Sequence, residues 1–367
     1  MHIAAALVIF LMASVAAHAQ GVGSIRDALT KMPKFLLNTP SAQFSFVDVA
    51  ALRKLGGGER IHRTLAARAI VGDALPHFVA LRARSVEYWA ERSLVDLASI
   101  RYLAGSSVQP VIWGFDSEDT ATSTIAALDA ADFDAIEIEG MLSNRGDVDS
   151  DPVEVESFNP WRSAGRHRSF IAAKEDAIVQ SIARGLVEAM LRDEPNMAES
   201  EVVSAALGGI EAALGDGMLV QAVLVNPLMG LGGVDTEMLL NGRPTLEEMR
   251  EKLEAELQPG TEGIPSYLGG FIADAQGDQP GVLISLTYPD CATADRAAAQ
   301  MAERLADIMP EDLRGDVAEA AIEASAGLCA ATLNVTGTST DGLSNSTFDA
   351  FIRYRHYVEV LQIGKAE

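Results

Sequence analysis

The chain has 367 residues, 48% of them hydrophobic and 22% charged, which excludes a disordered or collagen-like polypeptide and suits two or three modules of ordinary size. Its 28 Lys and Arg stand against 52 Asp and Glu, a formal charge of -24 that repels phosphate backbones and anionic lipid, so no nucleic-acid partner is expected.

The N-terminus "MHIAAALVIFLMASVAAHAQG" is an apolar run ending in Ala17-His18-Ala19, the small-residue pattern a signal peptidase accepts, and reads as a signal peptide over 1–19. Its n-region lacks Lys and Arg, and the run approaches the length that spans a bilayer, so an uncleaved membrane anchor is the alternative. No comparable run follows, and the mature chain is expected to have no membrane span.

Residues 20–105 read as a mainly helical region. Phe44 and Phe46 mark a short strand, Asp48 leads into a helical turn stopped by Gly56 to Gly58, and "RTLAARAIV" and "VEYWAERSLVDLASIRYLAG" carry apolar residues at helical intervals up to Gly105. Residues 106–230 read as a first α+β module. "PVIWGF" is a strand, "DSEDTATSTIAALDAA" a helix capped by Asp116, "FDAIEIEG" an alternating strand, and "VEVESF" a further short one. "DAIVQSIARGLVEAML" places Ile178, Ile182, Leu186 and Met190 on one helical face; a helix near 199–214 and the strand "MLVQAVLVNP" follow.

Residues 231–281 read as a linker whose one helix opens on the capping box Thr245–Glu248, with glycine-rich flanks taken as loops. Residues 282–367 read as a second α+β module. It comprises the strand "GVLISLTYP", a helix with Ala294, Ala298, Met301, Leu305 and Ile308 on one face, the hairpin "VAEAAIEASAGLCAATLNVTGT", the helix "STFDAFIRYR" and a terminal strand "YVEVLQIG". The expected fold class is therefore α+β, with two ferredoxin-like (split βαβ) modules preceded by a helical N-terminal region.

Cys291 stands at the start of the helix in that module and Cys329 in the hairpin. In an exported chain the two are expected to pair as a disulfide. The competing readings are a reactive thiol at the helix N-terminus and two separate buried thiols; zinc lacks the remaining ligands at suitable spacing.

The stretch from "VDLASI" through "VIWGFDSEDTATSTIAALDAADF" resembles exported bacterial proteins that have no assigned activity. The resemblance implies an exported α+β protein and carries over no catalytic residue.

Candidate chemistry is sparse. In "GDVDSDPVEVE", Asp147, Asp149 and Asp151 alternate like the oxygen ligands of calcium loops, with Glu154 close behind. Pro152 and Phe158 break the EF-hand pattern, and a solvated acidic turn is the plainer reading. No G-x-S-x-G and no phosphate-binding glycine loop is present, while "GRHRSF" sets His167 near Ser169 without an orienting third group. Two RGD tripeptides, at Arg145 and Arg314, read as turns. The sequons at Asn334 and Asn345 are expected to stay unmodified, since the leader looks bacterial. Trp89, Trp113 and Trp161 are too dispersed to read as a sugar platform, and Trp113 reads as core.

These features point to a periplasmic or secreted protein without a cofactor, calcium excepted, that binds a protein or cell-envelope partner and is non-catalytic. A calcium-dependent structural protein and a hydrolase with dispersed catalytic residues, its base His62, His77 or His167, are the rival readings.

Overall fold

The computed structural model describes residues 22–38, 44–57, 61–71, 86–105, 110–131, 133–144, 160–161, 169–192, 194–231, 263–309, 315–337, 339, 341–353 and 356–364. The leader, the Asp147–Glu154 acidic loop with its strand "VEVESF", His77, His167 and the helix opened by Thr245 lie outside the described residues. The chain divides into two compact units: Met1–Ser200 with Asp216–Val223 and Thr340–Ser344, and Glu201–Gly215 with Leu224–Ser339 and Asn345–Glu367.

In the first unit the helices are α1 (Gly23–Thr30), α2 (Val49–Leu55), α3 (Ile61–Arg68), α4 (Val86–Ser93), α5 (Glu118–Ala131) and α6 (Arg184–Leu191). Its strands are β1 (Ser45–Asp48), β2 (Ile100–Gly105), β3 (Val111–Phe115), β4 (Phe133–Ala135), β5 (Met141–Asn144), β6 (Phe170–Lys174), β7 (Ala177–Ser181) and β8 (Met218–Val225). Every neighbouring pair in the order β8-β1-β2-β3-β7-β6-β5-β4 is antiparallel.

Strand side chains alternate between faces, and cross-strand partners share one, so Val47, Leu103, Trp113 and Ile178 lie together on one face. That face is sealed by an aromatic stack: the Trp113 ring lies 4.1 Å from Trp161 and 5.9 Å from Trp89. Trp113 Nε1 donates to Gln180 and Trp161 Nε1 to the Ser93 carbonyl, which satisfies two indoles removed from water. Dispersed in sequence, the three tryptophans converge here as buried core. Gln221 of β8 acts as a clamp on the chain leaving α3, its Oε1 accepting the N–H of Ile70 and Val71.

The second unit holds α7 (Glu201–Leu214), β9 (Gly269–Gln276), β10 (Pro280–Tyr288), α8 (Cys291–Ile308), β11 (Val317–Glu323), β12 (Cys329–Thr336), α9 (Ser346–Arg353) and α10 (His356–Val360). The strands run β11-β12-β10-β9, all antiparallel. β10 and β11 both run against β12, so α8 connects two strands of the same direction with β12 inserted between them. Both sheet faces are covered. Thr287 Oγ1, on one face, donates to the Val202 carbonyl of α7, while α8 is joined to β12 on the other by the Cys291–Cys329 disulfide, its Cα atoms 5.0 Å apart. The Asp290 carboxylate caps α8 by accepting the Thr293 N–H at 2.8 Å, and hydrogen bonding at this exposed position holds its pKa below the usual value.

Two ferredoxin-like modules are not what forms. Among the described residues the strands make one twelve-stranded sheet, ordered β11-β12-β10-β9-β8-β1-β2-β3-β7-β6-β5-β4. The region 20–105 holds α1 to α4, and its two short strands, β1 and β2, pair inside that sheet. "SIRYLAG" has spacing compatible with a helix, but pairing with β1 and β3 makes it a strand. The helix expected through Ile178 and Ile182 is instead β7 followed by α6: "AIVQS" pairs with both β3 and β6, and Ile182 is exposed. The expected strand "FDAIEIEG" stops at Ala135. The terminal strand "YVEVLQIG" is replaced by α10, with a single bridge from Ile363 to Ile264. "GGFIADAQ", read as loop for its glycines, is β9: a Cβ on Gly270 would lie 3.0 Å from the Leu286 Cα, so glycine there permits a close backbone approach.

Candidate functional site

Four charged side chains from separate segments of the first unit meet in one network. Asp27 comes from α1 and Lys31 from the residue after it; Arg101 lies on β2, and Asp176 in the two-residue turn joining β6 to β7. Lys31 Nζ lies 2.7 Å from Asp27 Oδ1 and 3.0 Å from Asp176 Oδ1. Arg101 NH2 donates to Asp27 Oδ2 and, at 2.9 Å, to Asp176 Oδ2. Two cations and two carboxylates thus close a ring in which each base bridges both acids.

The register of β2 makes this possible. Ile100 pairs with Phe115 and Tyr102 with Gly114, so Arg101 is an extra residue that bulges the strand between them. Consecutive strand residues ordinarily point to opposite faces, whereas a bulge re-aims the side chain. Arg101 and Tyr102 therefore both reach Asp27, the Tyr102 hydroxyl donating to Oδ2 at 2.8 Å. Gly114 makes room for that phenol: a Cβ there would lie 2.7 Å from Tyr102 Cδ1. The Glu175 backbone, at φ +54°, adopts the left-handed conformation that presents Asp176 to the network.

Burial and charge act against each other here. Burial alone would pull the Lys31 ammonium down, but Asp27 and Asp176 more than offset it and its pKa ends above the usual value. Arg101 follows the same balance and stays charged. Burial, reinforced by Asp27, pushes the Tyr102 phenol well up, so it remains a hydrogen-bond donor.

Beside the network opens a cleft of about 310 Å³, its wall formed by Ser24, Asp27, Asp48, Arg101, Asp116 and Met218 among others. Asp48 ends β1 and caps α2, its Oδ1 accepting the Ala51 N–H at 2.7 Å. It is 5% exposed, and burial raises its pKa to about 6 against the pull of the Ala51 and Ala50 amides, the Ser24 hydroxyl and the Arg101 charge. Among the described residues no Lys or Arg nitrogen forms an ion pair with it. A buried carboxyl with a displaced pKa in a concave site is the usual mark of a functional group.

None of the functional candidates drawn from the sequence lies in this cleft; its Asp48 and Asp116 figure in the sequence only at the starts of helical segments. The calcium set Asp147, Asp149, Asp151 and Glu154 lies outside the described residues, as do His77 and His167; His62 is carried on α3. Among the described residues no group of three or more His, Cys, Asp or Glu is arranged to hold a metal ion. The sequon residue Asn345 is buried, its Nδ2 donating to Asp274 Oδ1 at 2.6 Å and to the Gly281 carbonyl at 2.9 Å. The cysteines are joined, so neither is a free thiol.

No protein-family model, no curated protein and no solved structure matches the chain.

Proposed function

We propose that this chain is an exported binding protein and that the cleft beside Asp48 is its ligand site. Export is supported by the apolar leader with its Ala17-His18-Ala19 end and by the Cys291–Cys329 disulfide, a crosslink that persists in oxidising compartments. No helix among the described residues is long and apolar enough to cross a membrane.

A partner resting on an open sheet face is less well supported than a small molecule. β3, β7, β9 and β10 are buried along nearly their whole length on both faces. The observation that carries the reading is Asp48: a carboxyl withdrawn from water, without an ion-pair partner among the described residues, on the wall of a cleft of ligand size. The fixed ring of Asp27, Lys31, Arg101 and Asp176 behind it holds the wall in one geometry, so little ordering is left for a ligand to impose.

The test is a thermal-shift screen of small polar metabolites against the wild-type chain and an Ala50→Phe variant, whose ring would fill the cleft. A ligand that raises the melting temperature of the wild type is expected to lose its effect in the variant. A ligand that stabilises both proteins equally would place binding elsewhere and refute the reading.

A further inference from the structure

Resting on that reading of the cleft, we infer that its ligand is a zwitterion of amino-acid size, bound with its ammonium toward Asp48 and Asp116 and its carboxylate toward Arg101. The wall carries fixed charge of both signs. Arg101 has only NH2 committed to Asp27 and Asp176. Its Nε is a buried donor without a partner, and among the described residues NH1 donates to no protein acceptor. Because NH2 is anchored to two carboxylates, the guanidinium plane is held fixed, and NH1 is left to give a ligand carboxylate one charge-assisted hydrogen bond.

Asp48 and Asp116 supply the opposite sign, and neither forms an ion pair among the described residues. Lys54 adds a second cation to the wall; a simple anion on the Arg101 and Lys54 side leaves the carboxylates unmet, and a simple cation on Asp48 and Asp116 leaves the guanidinium unmet. Only a ligand with separated charges of both signs meets each wall with its complement. Met218, Ala50 and Ala51 give the same cleft an apolar surface on which a hydrocarbon side chain can rest. A volume of about 310 Å³ lies at the small end of ligand sites and matches a single amino acid better than a peptide.

The experiment compares three molecules of one carbon skeleton by calorimetric titration of the full chain: L-leucine, 3-methylbutylamine, which lacks the carboxylate, and 4-methylpentanoate, which lacks the ammonium. L-leucine is expected to bind at least about tenfold more tightly than either singly charged probe. Asp116→Asn, on the exposed rim, is expected to weaken L-leucine severalfold and to leave 4-methylpentanoate unchanged or tighter; Asp48→Asn is expected to do the same more strongly. Equal binding of L-leucine and either singly charged probe would overturn the zwitterion while leaving the cleft as a site. Absence of binding by all three would also overturn it, and the Ala50→Phe screen then decides the cleft by itself.

Discussion

Gly208 and Gly209 are neighbours in the middle of α7, yet replacing each with alanine is expected to move stability in opposite directions. Alanine gains about 1 kcal/mol over glycine in a helix interior. At Gly208 a Cβ would meet nothing within 4 Å, so the gain is realised in full. At Gly209 the same atom would lie 2.8 Å from the Ala330 Cβ and 2.9 Å from Thr332 Cγ2, and closer still to Ser285 Oγ, all on the sheet face beneath the helix. Contacts that short force helix and sheet apart, and overpacking of this kind costs about 1–3 kcal/mol. The Ala330 methyl has no rotamer with which to yield, so the upper part of that range applies, leaving Gly209→Ala about 1–2 kcal/mol less stable than wild type. The two variants should differ by roughly 2–3 kcal/mol in urea unfolding followed by circular dichroism. Equal midpoints, or two stabilised variants, would refute the close packing of α7 on β10 and β12.

Three further outcomes are expected. The folded pKa of Asp48, about 6, stands above its ordinary 3.8, so the folded state holds the proton more tightly than the unfolded one. Its contribution is therefore full below about pH 4 and declines as pH rises to about 6, by about 3 kcal/mol in all. Asp48→Asn keeps a capping oxygen and should remove that decline; wild-type and variant stabilities that run parallel across this window in urea titrations would contradict it. Replacing Cys291 and Cys329 together with serine opens a crosslink with a sequence separation of 38 and should cost about 4 kcal/mol, so a double variant melting with the wild type would count against the disulfide's role. Lys31, its side chain 1% exposed, balances Asp27 and Asp176, and Lys31→Met should destabilise the chain by about 3–5 kcal/mol. Adding Asp27→Asn to Lys31→Met should recover part of that loss, which unfolding curves of the single and double variants will show.

Local pattern was enough for several elements. Apolar spacing marks α8 and places Ala294, Ala298, Met301 and Leu305 on its buried face. Uninterrupted apolar runs mark β3, β8 and β10, and the presence of only two cysteines anticipates the Cys291–Cys329 bond. These features depend on residues a few positions apart, or on one pair with no competitor, so they can be read without knowing what packs on them. Strand against helix was not legible where both periods fit. "SIRYLAG" and "AIVQS" become strands because partners lie on each side, and β9 survives two glycines because β10 approaches them closely.

The candidate site was hidden for a stronger form of the same reason. Asp27, Asp48, Arg101 and Asp176 carry no shared motif, and the pairing of β1 with β2, β2 with β3 and β3 with β7 is what gathers them. The bulge that turns Arg101 onto the side of Tyr102 is a mismatch in register between two strands, a quantity that no single strand contains. Composition and periodicity determined the strong helices, the apolar strands and the crosslink, because those follow from each segment's own chemistry. Which charges meet, and which carboxyl is withdrawn from water far enough to shift its proton affinity, was decided only when distant segments closed over one another.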